Sequence, residues 1–211
     1  MSFLVLYFSS FIVALSGALM PGPLLAVTLG NSPSYGWKFG PLAVLGHGIL
    51  ELGLVSLVFL GAGPLFQARP VQGWIGLAGG LILVWMGKGM FTVVRSGEFT
   101  EKPSGPEQSG RRAVFLGIAG SLSNPYWTLW WATVGLAYLT VAAERGPLGV
   151  AVFFAGHISG DLAWYTLVST TVSRGIGISD MKFYSTLMYL CSMALVVLGF
   201  WFIYYGVRLV V

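Results

Sequence analysis

Two stretches carry side chains able to do chemistry in an otherwise apolar setting: GHGILEL, Gly46 to Leu52, and GHISGDL, Gly156 to Leu162. Both read Gly-His-x-x-x-acid-Leu. Residues four apart share a helix face, so His47 with Glu51 and His157 with Asp161 each form a vertical polar pair. The chain has two histidines in all, and both occupy this position. An imidazole touching a carboxylate can exchange protons near neutral pH, which suits proton coupling. Two imidazoles with two carboxylates also make a ligand set for a divalent transition metal. A third use, acid–base catalysis in a membrane enzyme or accessory subunit, finds no nucleophile or cofactor motif to support it. No enzymatic activity and no cofactor are expected. For a lone helix histidine, a packing bond to its own carboxylate would be the default; duplication of the pair favours function.

The surroundings explain why such pairs stand out. Of 211 residues, 56% are hydrophobic and 9% charged, and the mean hydropathy is +0.82. A soluble domain of this size cannot hide that much apolar surface. Apolar runs long enough to span a bilayer recur, approximately at Phe3 to Gly30, Gly40 to Gly63, Trp74 to Val94, Ala113 to Val141, Gly149 to Ser173 and Phe183 to Val210. The expected fold is an all-α polytopic membrane protein with six transmembrane helices. The N-terminal apolar stretch lacks a basic flank and is too long for a signal peptide's core, so it is expected to be the first span.

The net charge of +4 does not imply nucleic acid, because the basic residues stand singly or in pairs at the ends of apolar runs. The expected partners are membrane lipid and a small-molecule substrate, with no nucleic acid; a homodimer is compatible with the sequence. The lone cysteine, Cys191, lies in an apolar run and is expected to be a buried packing thiol. Between the third and fourth runs lies SGEFTEKPSGPEQSGRR, Ser96 to Arg112, polar and rich in Pro, Gly and Ser. It predicts a linker, residues 96–112, joining a first three-helix unit, 1–95, to a second, 113–211. Basic residues including Lys38, Arg95, Arg111, Arg112 and Arg174 collect on the linker's side, against Arg69, Arg145 and Arg208 on the other. The positive-inside rule puts the linker in the cytoplasm and both termini outside. Lys88, near the end of its span, is expected to snorkel towards the cytoplasmic interface.

The two halves match in more than the His-acid pairs. GALMPGP, Gly17 to Pro23, aligns with GSLSNPY, Gly120 to Tyr126, placing a proline break inside the first helix of each half. An odd number of spans per half makes the second copy enter from the opposite side, so the repeats are expected to be inverted. Such symmetry would bring both polar pairs to one cavity near the midplane, where charged side chains face protein or water. At Pro21-Gly22-Pro23 and Asn124-Pro125, proline removes backbone donors and frees carbonyls and amides. Irregular backbone at membrane depth persists where protein or a wet cavity satisfies it. Those half-helix ends are expected to hold an amino acid's carboxylate and ammonium, with Tyr126 beside them. Tyr126, Trp127, Trp130 and Trp131 form an aromatic cluster, by default an interface band.

Taken together, these motifs resemble the LysE/RhtB family of bacterial amino-acid exporters. The resemblance covers nearly the whole length. It rests on Pro21 to Pro23, the acid Glu51 in a glycine-rich helix, LVWMGKGMF, the Asn124-Pro125 step, DLAWY and the terminal LGFWFIYYGVRL. It implies a six-helix inner-membrane exporter of amino acids or related small metabolites, driven by the membrane potential or proton gradient. Two departures stand out: Tyr126 occupies a place where members commonly have lysine, and the paired histidines are not expected in an average member. The reading is therefore a secondary exporter in which Pro21, Gly22, Pro23, Asn124, Pro125 and Tyr126 bind substrate and His47, Glu51, His157 and Asp161 couple protons. The alternative is a divalent-metal exporter using those four side chains as ligands.

Overall fold

A computed structural model describes residues 2–96, 106–174 and 181–210. Every regular element among them is helical. The first expected span is not one helix. α1, Phe3–Ala18, stops short of Pro21, and α2, Pro23–Tyr35, starts afresh with proline in its first turn, where no backbone donor is missed. The two axes differ by 80°. At Gly36 the backbone takes φ +82°, a conformation open to glycine, and the chain turns into α3, Phe39–Leu57. α3 runs on to a kink at Gly61, where φ is +106°, and a short α4, Gly63–Gln67, precedes α5, Arg69–Ser96.

The second half repeats the theme. α6, Pro106–Leu122, ends just before Asn124-Pro125, and α7, Pro125–Trp130, begins there with the Asn124 side chain accepting from the Tyr126 amide at 3.1 Å. This is an N-cap followed by proline at the first helical position. A π-helical turn, Trp131–Gly135, leads into α8, Leu136–Ala143, and then α9, Gly146–Ser173, and α10, Met181–Val210, complete the chain. Of the expected linker, residues 97–105 lie outside the described residues. Pro106 to Arg112 form the first turns of α6 rather than a loop.

Among the described residues three helices are long and apolar enough to cross a membrane, Phe39–Leu65, Arg69–Thr92 and Ser185–Val210, and the bent α1–α2 pair makes a fourth if it is one broken span. α9 has the length, 28 residues, but His157, Ser159, Asp161 and the hydroxyl-rich stretch from Thr166 to Ser173 dilute its apolar run. Large apolar side chains such as Leu4, Leu60 and Trp85 are exposed, as suits contact with lipid. The chain is a multi-pass helical membrane protein.

Three helix pairs dominate the packing: α5 with α10, α1 with α9, and α3 with α6. Each is a close approach made possible by glycine, the usual device where lipid supplies no hydrophobic drive between helices. A Cβ on Gly80 or on Gly199 would lie 2.7–2.8 Å from the other's carbonyl oxygen, pinning α5 to α10. Gly46 of α3 faces the Val114 carbonyl of α6, and Gly117 of α6 faces the Ala43 carbonyl of α3. Gly156 of α9 lies on the Tyr7 carbonyl of α1. The glycine preceding each histidine thus brings its helix hard against a helix of the other half. Buried hydroxyls are satisfied within their helices: Ser10 donates to Leu6 O, Thr28 to Leu24 O and Ser32 to Thr28 O at 2.6–2.7 Å.

Gly117→Val should therefore force α3 and α6 apart and lower the unfolding midpoint in detergent, at a cost of about 1–3 kcal/mol for overpacking. Gly89, with open space around its Cα, is the control: Gly89→Ala should leave the midpoint unchanged or slightly raised.

Candidate transport site

α3 and α9 bring the two His-acid pairs face to face. His47 Nε2 lies 3.1 Å from Glu51 Oε1 on its own helix and 3.6 Å from Asp161 Oδ2 on the other. His157 Nε2 lies 3.4 Å from Asp161 Oδ2 and 3.0 Å from Glu51 Oε2. Each imidazole thus meets both carboxylates. All four residues are buried, none more than 6% exposed. Glu51 Oε2, Asp161 Oδ2 and His157 Nε2 have no hydrogen-bond partner outside the quartet, and His157 Nδ1 has none. No lysine or arginine is paired with either acid among the described residues.

The surrounding donors fix part of the protonation pattern. Ser121 Oγ lies 2.7 Å from the Gly117 carbonyl, and only a hydroxyl hydrogen between two oxygens makes that contact attractive. Having donated there, Ser121 Oγ accepts from His47 Nδ1 at 2.6 Å. His47 therefore carries a proton on Nδ1, and its Nε2 turns towards the acids. Glu51 Oε1 accepts from the indole N–H groups of Trp127 at 2.9 Å and Trp131 at 2.7 Å. Indole only donates, so this oxygen carries no proton. His157 lies among aromatic rings, with centroids 5.0 Å from Trp130, 5.3 Å from Trp131 and 6.1 Å from Phe153.

Both helix breaks border the same space. A Cβ on Gly22 would lie 3.1 Å from Asn124 Nδ2, so the first break touches the second. The carbonyls at the end of α1 are all accounted for. Those of Leu15 and Gly17 accept from the next residues' amides, at 3.0 and 3.1 Å. Those of Ser16 and Ala18 accept long bonds, 3.4 Å each, from the hydroxyls of Tyr126 and Tyr165. The cavity at this junction, open on one side, has a volume of about 50 Å³ and is lined by the quartet, Ser121, Leu24, Asn124 and several aromatics. At roughly 10–15 Å³ per water, it has room for a few waters or an ion.

Of the residues expected at the site, His47, Glu51, His157 and Asp161 are brought together, and Asn124 and Tyr126 line the cavity with them. Pro21, Gly22, Pro23 and Pro125 do not line it. Pro23 is fully buried, and Pro125 packs against Gly79 of α5; the prolines shape the breaks rather than face the cavity. Sequence reasoning missed Ser121, Tyr165 and the assignment of Trp127 and Trp131 to Glu51. Ser121 was visible inside GSLSNPY, and Trp127 with Trp131 have helix-face spacing, but neither pattern says which partner waits across the interface.

Fold and site together define the class: a helical multi-pass membrane protein with one buried polar site built from both halves of its chain. The comparison with known families is specific. The model of the LysE type translocator family matches residues 15–206, and the chain belongs to that family. Among curated proteins it is similar to "Putative amino acid efflux protein YcgF" of Bacillus subtilis (strain 168), with 24% identity over 208 residues, covering 96% of this chain and 97% of that one. No solved structure matches the chain.

The donor pattern makes a graded prediction at Glu51. Glu51→Gln keeps a carbonyl oxygen for both indoles, whereas Glu51→Leu leaves two buried N–H groups without an acceptor. The leucine variant should be less stable than the glutamine variant by about 2–6 kcal/mol, at about 1–3 kcal/mol per orphaned donor, measured by thermal unfolding in detergent.

Proposed function

We propose that the chain is a secondary exporter of amino acids or related small metabolites in the cytoplasmic membrane, working by alternating access and driven by the proton gradient. Membership of a translocator family supports transport, and the name of the Bacillus subtilis relative supports amino-acid efflux. The observation that carries the reading is the enclosure of the His-acid quartet by the broken helix ends of both halves. With room for only a few waters, the cavity is smaller than an amino acid needs. On this reading the cavity must widen to load or release substrate. Widening would also stretch the long Tyr126 and Tyr165 hydroxyl bonds, freeing two α1 carbonyls for an ammonium group.

The architecture we infer is six spans in two inverted three-helix repeats. Its support is the exchange in packing: the first helix of each half lies on the second helix of the other, α1 on α9 and α6 on α3, while the third helices α5 and α10 pair with each other. A two-fold relation between halves has that consequence. The basic residues on the linker side orient it with the linker in the cytoplasm and both termini outside. Four ionisable groups sealed from water carry little net charge at tolerable cost. Opening the quartet to one side at a time would exchange its protons with that side alone.

The convergence of four metal-ligating side chains favours a second reading, in which a divalent metal ion is the exported species.

Flux assays in proteoliposomes with a panel of amino acids test the first reading. An imposed proton gradient should drive export of at least one, and Glu51→Gln and Asp161→Asn should each reduce the rate at least tenfold. Unchanged rates and unchanged dependence on the gradient in both variants would exclude this quartet as the coupling site.

A further inference from the structure

The quartet has a feature that proton exchange alone does not require: its ligand atoms converge on one point. One atom from each of His47, Glu51, His157 and Asp161 can be chosen so that all lie within 4.8 Å of one another. With Glu51 Oε2 as its donor, His157 Nε2 lies 3.0 Å from it and 3.4 Å from Asp161 Oδ2, and His47 Nε2 lies 3.6 Å from Asp161 Oδ2; the 3.1 Å approach of His47 is to Oε1, the oxygen the indoles hold. A tetrahedral ion with bonds of about 2.0–2.1 Å to nitrogen and oxygen holds its ligands about 3.3–3.4 Å apart, within the span of those three separations. A single oxygen, Asp161 Oδ2, faces both imidazoles, as a shared central ion demands. Glu51 divides its two oxygens: Oε1 is held by the indoles of Trp127 and Trp131, and Oε2 is left without a hydrogen-bond partner.

The outer contacts fit the same assignment. A metal-bound imidazole usually donates its other N–H to an oxygen that fixes the ring, and His47 Nδ1 does so to Ser121 Oγ at 2.6 Å. Two imidazoles and two carboxylates balance the charge of a divalent ion, with no lysine or arginine paired to either acid among the described residues to oppose it. The cavity of about 50 Å³ leaves room for the ion and little else. Nitrogen with carboxylate oxygen, and no thiolate, selects a borderline first-row ion of the zinc, cobalt or manganese kind over a soft monovalent one.

We propose that His47, Glu51, His157 and Asp161 bind a divalent first-row transition-metal ion at the centre of the cavity. The proposal rests on the reading of that cavity as the transport site. It extends that reading by naming an ion that binds there, as cargo or as a resident partner of an organic substrate. Ser121 is a positioning residue that holds the His47 ring.

Cobalt(II) is the probe, because a tetrahedral site gives an intense visible absorption that octahedral aqueous cobalt lacks. The purified full-length chain in detergent should bind one Co²⁺ per chain with that band, displaced by Zn²⁺. His157→Gln and Asp161→Asn should each weaken binding at least a hundredfold, and Ser121→Ala about tenfold, while gel filtration and helical circular dichroism remain like those of the parent. Absence of stoichiometric binding by the folded parent overturns the proposal, as does binding that survives both His157→Gln and Asp161→Asn. Amino-acid flux in thoroughly chelated proteoliposomes, from a chain that binds no metal, removes the metal and leaves the export reading standing. Metal binding with zinc flux but no amino-acid flux does the reverse, upholding the site and making the ion the cargo.

Discussion

The structure depends on how two carboxylates can be kept inside a membrane protein. A charged side chain near the bilayer centre costs about 2.5–3.5 kcal/mol on insertion scales, and this chain buries two acids without a lysine or arginine paired to either among the described residues. The solution is reciprocal. Each acid meets both histidines, and each histidine meets both acids, across the contact between α3 and α9. Glu51 also takes two indole donors from the segment after the second break. Neither half alone holds this network, so the pairing that satisfies the charges also joins the halves.

Much of the backbone serves that junction. Glycines immediately before His47 and His157 let α3 and α9 approach α6 and α1 at backbone distance, which sets the depth at which the imidazoles meet. The proline breaks remove helix where the cavity needs room. They leave α1 ending on carbonyls reached by Tyr126 and Tyr165, residues of the second half.

How much of this was legible follows from the kind of signal each feature leaves. The duplicated Gly-His-x-x-x-acid-Leu was legible because histidine and buried acid are scarce in this composition, and helix periodicity gives their facing within each pair. That the pairs meet each other followed only through the repeat. The breaks at Pro21-Gly22-Pro23 and Asn124-Pro125 were legible as lost donors, but the 80° bend of α1 against α2 was not; proline marks where a helix stops, and packing sets the next direction. Hydropathy also merged broken segments into continuous spans, since it averages over interruptions as short as Leu19 to Gly22 and Ser123 to Asn124. Ser121, Trp127 and Trp131 were hidden for another reason: their roles are contacts between helices distant in sequence, which no local pattern encodes.

The most direct test of the shared quartet uses the scarcity of histidine in this chain. With two histidines in all, nitrogen-15 labelling of the imidazoles yields a spectrum of two rings, assigned by single His→Gln substitutions. If Glu51 bridges both halves, Glu51→Gln shifts the Nε2 resonances of His47 and His157 together, and Ser121→Ala alters the Nδ1 of His47 alone. A spectrum in which Glu51→Gln moves only His47, its neighbour on α3, and leaves His157 untouched would contradict the account.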